Sequence, residues 1–267
     1  MLSAMPLALA LTAFDAQAQV PRDCGGGSQT SAGVARVIDG RSFLLADGRE
    51  VRLAAIETLL PVPGDQDEVR VQAALTAKTA LEALLLPHEV ELFVEASGAD
   101  RYGRMTAYAF VRTPSGETLV QRELVAAGQA LLSPAARGAA TCRIYLRNAE
   151  RAARDGRLGI WGEPYGIVKR ATDPADILGE QGRFALVRGK VVSVRESGGI
   201  VYVNFGQRWS EQFTVTILKR NEGILAGAGL TPKALTGRNI EVRGWIEERG
   251  GGPAIEVTRP DQIEVVH

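Results

Sequence analysis

Two successions of five short strand-like runs, each bounded by Gly, Pro, Asn or Asp turn signals, predict a mainly β chain of the α+β class. The expected architecture is two OB-type five-stranded barrels in tandem, the first with three helices. Two further observations support it. The hydrophobic period changes from two to 3.6 at intervals in the first half only, and a Gly/Pro segment without periodicity separates the halves. A length of 267 residues suits two small domains, each able to bury a core.

Residues 1–18 hold an apolar run from Met5 to Phe14 and end in Ala16-Gln17-Ala18, the pattern of a signal peptide cut before Gln19; the alternative is a buried N-terminal helix. Residues 19–32 form a Gly/Ser-rich N-terminal segment. The first domain is expected over 33–162. Val34–Asp39 and Ser42–Ala46 read as strands, and Asp47-Gly48 turns the chain into a third from Glu50 to Ile56. Ala74, Ala77, Leu81, Leu84 and Leu85 recur at helical spacing within 68–86, and Pro87 ends that run. Glu89–Val94 and Met105–Val111 are strands again, whereas Leu119–Ala127 and Ala139–Gly156 are helices. A linker over 163–181 leads to a second domain over 182–267. Its five strands are Phe184–Val194, Ile200–Phe205, Gln212–Ile217, Ile240–Glu247 and Pro253–Val257, with a hairpin turn at Ser197-Gly198-Gly199. Thr231-Pro232 opens a short helix that Gly237 closes.

Composition excludes several classes. With 45% hydrophobic residues the chain is not a disordered polymer, and no stretch of ~20 apolar residues offers a membrane span. Thirty-one bases balance 31 acids, and removing residues 1–18 takes away only Asp15. Such neutrality argues against holding nucleic acid by bulk charge, so a polyanion has to be met locally. The two cysteines, Cys24 and Cys142, lie outside any Cys-x-x-Cys motif, and no lipidation box precedes Cys24. In an exported chain they are expected to pair, and closing so long a loop stabilises by roughly 4–5 kcal/mol at most. The expected location is periplasmic or secreted.

Four segments of the first domain carry chemistry. They are Val37-Ile38-Asp39-Gly40-Arg41-Ser42-Phe43, the stretch Val51-Arg52 to Glu57-Thr58, the run Asp100-Arg101-Tyr102-Gly103-Arg104 through Tyr108, and Leu158-Gly159-Ile160-Trp161. In type and order they resemble the staphylococcal nuclease (thermonuclease) family, an OB barrel with three helices. The resemblance implies phosphodiester hydrolysis with calcium and two arginines. Carboxylates hold the hard cation, cation and guanidiniums neutralise charge on the phosphorane, and a further Glu directs water. It assigns the first phosphate-binding arginine to Arg52, the second to Arg104, a metal-binding carboxylate to Glu57 and its neighbour to Thr58.

The same resemblance marks two departures. Where the family has Ile-Asp-Gly-Asp-Thr, this chain has Ile38-Asp39-Gly40-Arg41-Ser42, so a calcium-binding Asp has become Arg41. Where the family has Thr-Pro-Glu, it has Thr58-Leu59-Leu60, so the water-directing Glu is aliphatic. Arg41 is expected to occupy the cation's place or to pair with Glu57, leaving Arg41, Arg52 and Arg104 as an anion-binding set without a cofactor. Calcium enters only if the site is rearranged, for instance by Asp65 or Asp67 of the loop Gly64–Glu68; otherwise that loop is solvated. Three functions follow as expectations: a degenerate nuclease-like protein recognising nucleic acid or another phosphate-bearing anion, an active phosphodiesterase with a rearranged metal site, or an envelope assembly protein.

Secondary candidates stay open. Arg143, Arg147, Arg151 and Arg154 recur along one helix as a nucleic-acid track or as a solvated face. Tyr202, Phe205 and Trp209 are either base-stacking groups or core. His88 and His267 offer no histidine-based site.

Overall fold

In a computed structural model, residues 20–22, 24, 26–61, 67–100, 102–114, 116–134, 140–162, 164–207 and 211–266 are described. The expectations for residues 1–18, Asp65, Trp209 and His267 lie outside these.

The first half contains β1 (Gly26–Ala32), β2 (Val34–Asp39), β3 (Ser42–Leu45), β4 (Glu50–Leu53) and β5 (Ile56–Glu57), then helix α1 (Glu68–Leu85). Strands β6 (Val90–Ala99), β7 (Met105–Thr113) and β8 (Gly116–Leu119) follow, then α2 (Val120–Ala126), β9 (Leu131–Leu132) and α3 (Ala140–Asp155). Its seven-stranded sheet runs β1-β6-β7-β4-β3-β2, with β8 on β7, while β5 and β9 form a separate two-stranded ladder. The apolar faces of these strands meet α1 and α2 in one core around Phe43, Leu53, Leu81, Leu92 and Leu124. Helix α1 starts where Asp67 accepts a hydrogen bond from the Arg70 amide, and it buries Ala73, Ala77, Leu81 and Leu85. The buried row is thus set by Ala73 rather than Ala74, and Leu84 lies at its margin.

The second half contains β10 (Val168–Arg170), α4 (Pro174–Leu178), β11 (Phe184–Lys190), β12 (Ser193–Ser197), β13 (Ile200–Asn204) and β14 (Thr214–Leu218). It ends with α5 (Glu222–Gly227), β15 (Asn239–Arg249), β16 (Gly252–Val257) and β17 (Ile263–Val266). The eight-stranded sheet runs β10-β11-β15-β16-β14-β13-β12, with β17 on β15, around a core of its own that includes Val203, Phe213, Ile217 and Ile240. Both strand orders are open paths of hydrogen-bonded neighbours, whereas closed barrels were expected.

Three segments depart from the sequence expectation. The Gly/Ser-rich stretch holds β1, an edge strand on β6; its order comes from backbone pairing, which leaves no alternating apolar signature. The expected linker holds β10, three residues parallel to β11 and too short to show a period, and the helix α4. The long strand expected over 184–194 is two strands, because Val191 leaves the sheet to bond with Arg238 and Gly237. The turn opened by Thr231 is a 3-10 turn over Pro232–Leu235. Cys24 and Cys142 form the disulfide, with Cα atoms 5.4 Å apart, which anchors the chain ahead of β1 to α3. Among the described residues no helix is long and apolar enough to cross a membrane.

The two halves share a small apolar cluster in which Leu59, Leu131 and Ile160 meet Phe184 and Leu186. Around it lie ionic contacts. Arg243 pairs with Glu150 of α3 at 2.9 Å and donates to the Leu132 carbonyl at 3.2 Å. Glu241, 2% exposed, takes Arg154 of α3 at 2.6 Å and Arg188 of β11 at 2.7 Å. Arg70 of α1 reaches Glu180 at 2.8 Å. The arginine row on α3 is therefore divided: Arg154 docks on buried Glu241 of the second half, whereas Arg143 and Arg151 stay exposed, Arg151 within 3.4 Å of Glu264. Opposite-charge docking cannot be read from the periodicity of one helix.

Removing one partner of a buried pair strands the other charge, which costs about 3–5 kcal/mol. Glu150→Ala is expected to lower unfolding stability by that amount in a denaturant titration; a loss under 1 kcal/mol would contradict this account. The interface also has a pH signature. Burial pushes the Glu241 carboxyl up, but the Arg154 and Arg188 guanidiniums outweigh it and hold it below its ordinary 4.5. A depressed carboxylate stabilises fully above its unfolded value and loses that contribution as pH falls through the folded one. Amide exchange in β15 is expected to quicken as pH falls below the ordinary carboxylate value of 4.5 and this contribution is lost.

Candidate functional site

The candidate site lies where the β2–β3 turn, β4 and the turn after it converge. Gly40 permits the approach: a Cβ there would sit 2.7 Å from the Ala77 Cβ of α1 and 3.2 Å from the Thr58 methyl. The Asp39 carboxylate then accepts the Arg41 amide at 2.9 Å, and the Leu53 amide donates to the Arg41 carbonyl at 2.8 Å. Ser42 stands opposite Arg52 in the β3–β4 register, so Arg41, in the turn just before Ser42, lies next to the strand that carries Arg52.

After β4 the chain reverses through Ala55, at a φ of 65° that L residues seldom adopt. Its fixing contacts are backbone and amide bonds. The Ala54 amide bonds to the Ala107 carbonyl at 2.9 Å, the Ser133 amide to the Ala55 carbonyl at 2.8 Å, and buried Gln121 bridges Ala107 and Ala109 from α2. This reversal returns Glu57 beneath Arg52. Both Glu57 oxygens are engaged: Oε2 meets Arg41 Nη1, and Oε1 accepts from Arg52 Nη2. Glu57 is 2% exposed and Arg41 is 7% exposed. Burial, reinforced by the Arg52 charge, pushes the Arg41 guanidinium down to about 10, so it is still cationic at neutral pH.

Arg104 is presented by a self-bonded loop. Asp100 Oδ1 accepts the amides of Tyr102 at 2.9 Å and Arg104 at 3.0 Å, and Gly103 takes a positive φ to close the turn. Asp100 Oδ2 then receives Arg104 Nη2 at 2.8 Å, and Glu50 lies 3.9 Å from Arg104 Nη1. The parallel pairing of β4 with β7 sets Arg52 opposite Thr106, which brings Arg104 to the same end of the sheet. Side chains of Arg52 and Arg104 keep 23% and 19% exposure.

The structure thus unites Arg41, Arg52 and Glu57 in one buried cluster and sets Arg104 in an adjoining pair of its own. Each of the three guanidiniums expected to form an anion set has a carboxylate partner. Sequence reading foresaw the Arg41–Glu57 pair as one of two options and missed Asp100, whose position four residues before Arg104 was the available signal.

Calcium does not fit these donors. It takes six to eight oxygens, whereas here the one buried carboxylate is spanned by two cations. Beside it, the buried hydroxyls of Ser42 and Thr58 have no hydrogen-bond partner among the described residues. Among those residues, no group of three or more His, Cys, Asp or Glu is placed to hold a metal ion. Asp67, the described member of the proposed replacement ligands, caps α1 instead.

A mixed sheet backed by helices, with arginines gathered around a buried acid at one end, agrees with a nuclease-like domain of the OB class. Residues 50–163 match the family described as staphylococcal nuclease homologue, which supports a staphylococcal nuclease-like domain in this part of the chain. The match covers Arg52, Glu57, Thr58 and Arg104 and begins after Arg41. Comparison with curated proteins gives no match.

Glu57 holds two buried or half-buried cations, so Glu57→Ala is expected to destabilise by about 3–5 kcal/mol. Arg41→Met combined with Glu57→Leu, which removes both buried charges, is expected to lose less than Glu57→Ala alone. Urea unfolding of the three proteins checks this, and equal losses would remove the coupling.

Proposed function

We propose that this is an exported thermonuclease-like protein that has lost calcium-dependent hydrolysis and keeps a phosphate-recognising cleft. The observation that carries the reading is the clamp of Arg41 and Arg52 on Glu57. It neutralises a carboxylate that the family's chemistry needs for a cation, and Leu60 stands where that chemistry needs a water-directing Glu.

The clamp also suits anion capture. Arg52 and Arg104 lie at one end of the sheet and retain exposure, and a guanidinium exchanges a carboxylate for a phosphate through the same planar fork. When Arg52 turns to a phosphate, Arg41 still holds Glu57, so no buried charge is orphaned. Tyr102, stacked 5.1 Å from the Arg104 guanidinium, extends the mouth with an exposed ring. Neither calcium nor another cofactor is required by this reading. Export draws support from the Cys24–Cys142 disulfide, which belongs to an oxidising compartment, and from the apolar run and Ala16-Gln17-Ala18 of the sequence. The two sheets are read as OB-type domains in tandem, the first extended by β1 ahead of the expected 33–162 and the second by β10 ahead of the expected 182–267.

A cleavage assay on single-stranded DNA and RNA, with and without calcium, tests the reading. No calcium-stimulated cleavage is expected from the mature protein, and salt-sensitive binding of a phosphorylated oligonucleotide should weaken in Arg104→Ala. Arg41→Asp with Leu60→Glu is expected to install or raise calcium-dependent hydrolysis. Calcium-stimulated cleavage by the unaltered protein, abolished by Arg104→Ala, would instead establish a phosphodiesterase with a rearranged metal site.

A further inference from the structure

The outer face of the β12–β13 hairpin carries a groove of about 490 Å³ lined by residues of the second half, none of them from the arginine cluster. Its origin is the alternation of the two strands. Val194, Val201 and Val203 turn inward to the second core, which leaves Ser193, Arg195 and Ser197 of β12 and Tyr202 and Asn204 of β13 on the other face. Gly206 and Gln207, in the chain leaving β13, form its further wall. The Gln212 amide packs closely over Gly206, in the space a Cβ would take.

We infer that this groove binds single-stranded nucleic acid, with Tyr202 as the stacking platform and Arg195 as the phosphate contact. Three properties argue for that ligand class. Arg195 stands directly across the ladder from Tyr202, so a cation and an aromatic face are presented together, as a base and its phosphate require. Arg195 makes no hydrogen bond or ion pair with any described residue, unlike Arg41, Arg52, Arg104, Arg154 and Arg243, so its fork is available without displacing an acid. Asn204 is only 4% exposed and lines the same groove. It accepts from Thr214 at 3.3 Å and donates to Ser193 at 3.3 Å, which leaves one amide hydrogen and one lone pair for a base edge. Phe205, the second aromatic the sequence offered, is spent in the core against Phe213.

The groove is separate from the phosphate-recognising cleft, and the test keeps the two apart. Fluorescence anisotropy of a fluorescein-labelled dT8 probe is measured on the full mature chain, with its salt dependence. A dT8 probe carrying one 5-iodo-deoxyuridine is photo-crosslinked and the attached peptide identified. Tyr202→Ala is expected to weaken binding by about 5- to 100-fold, the range for losing one base stack, while Tyr202→Phe retains it. Arg195→Gln, at an exposed position that does not bear on folding, is expected to flatten the salt slope by ~0.7, the contribution of one single-strand phosphate. The crosslink is expected within β13. A crosslink in the Tyr102–Arg104 loop with no effect of Tyr202→Ala would overturn the groove while supporting the cleft. Absence of dT8 binding, or equal binding of a neutral oligosaccharide, would also overturn it.

Discussion

A carboxylate taken almost fully out of water has to find compensating charge or give up its own. Glu57 finds it twice, in Arg41 and in Arg52, and much of the first half is arranged so that this happens. The idealised cost of burying such a group is of order 20 kcal/mol, and it stays several kcal/mol after relaxation. That requirement explains why the β4–β5 reversal accepts a left-handed Ala55, and why a fully buried Gln121 is spent on backbone groups beside it. It also explains the change of chemistry. A calcium ion would bring two charges and demand six or more oxygens, whereas a guanidinium brings one charge and five donors on a covalent tether. Arg41 meets the electrostatic need of Glu57 and removes its capacity to serve a metal.

From Glu57 the constraint continues into the second half. Strand β5 pairs with β9, so Glu57 lies opposite Leu131 and Ile56 opposite Leu132. The Leu132 amide donates to Glu150 at 2.8 Å, and its carbonyl accepts Arg243 of β15. One residue past Thr58, Leu59 is buried against Phe184 and Leu186. Leu59 thus makes an apolar contact between the halves.

Much of this was legible in the sequence, and the failures have physical causes. Strands β2 to β4, helix α1 and the Arg52 and Arg104 positions follow from period, turn residues and motif order, all of which are local. The Cys24–Cys142 pair followed from compartment reasoning, which needs no geometry. Strand β1 was hidden because an edge strand of Gly, Ser and Thr draws its order from its neighbour's backbone. The partners of α3 were hidden because Glu241 and Glu264 lie some hundred residues along the chain, and charge periodicity cannot report which surface a helix will meet. At the site, the sequence pointed to three arginines but could not show that Glu57 and Asp100 take up their charge.

The equality of 31 bases and 31 acids therefore has a meaning that a net total conceals. Neutrality would count against polyanion binding if the charges were scattered over a solvated surface. Here many are consumed inside the molecule: Arg41 and Arg52 on Glu57, Arg154 and Arg188 on Glu241, Arg243 on Glu150, and Arg70 on Glu180. Charges cancelled in this way contribute little field beyond a few ångströms, so the surface potential is governed by the few that remain unmatched. A cation such as Arg195, lacking an acid among the described residues and set beside an aromatic ring, weighs more in recognition than the sum over the chain. Long-range attraction of a polymer would be weak for such a protein, and selectivity would rest on contacts made after encounter. That is the electrostatic regime in which shape, stacking and a single well-placed guanidinium decide what is bound.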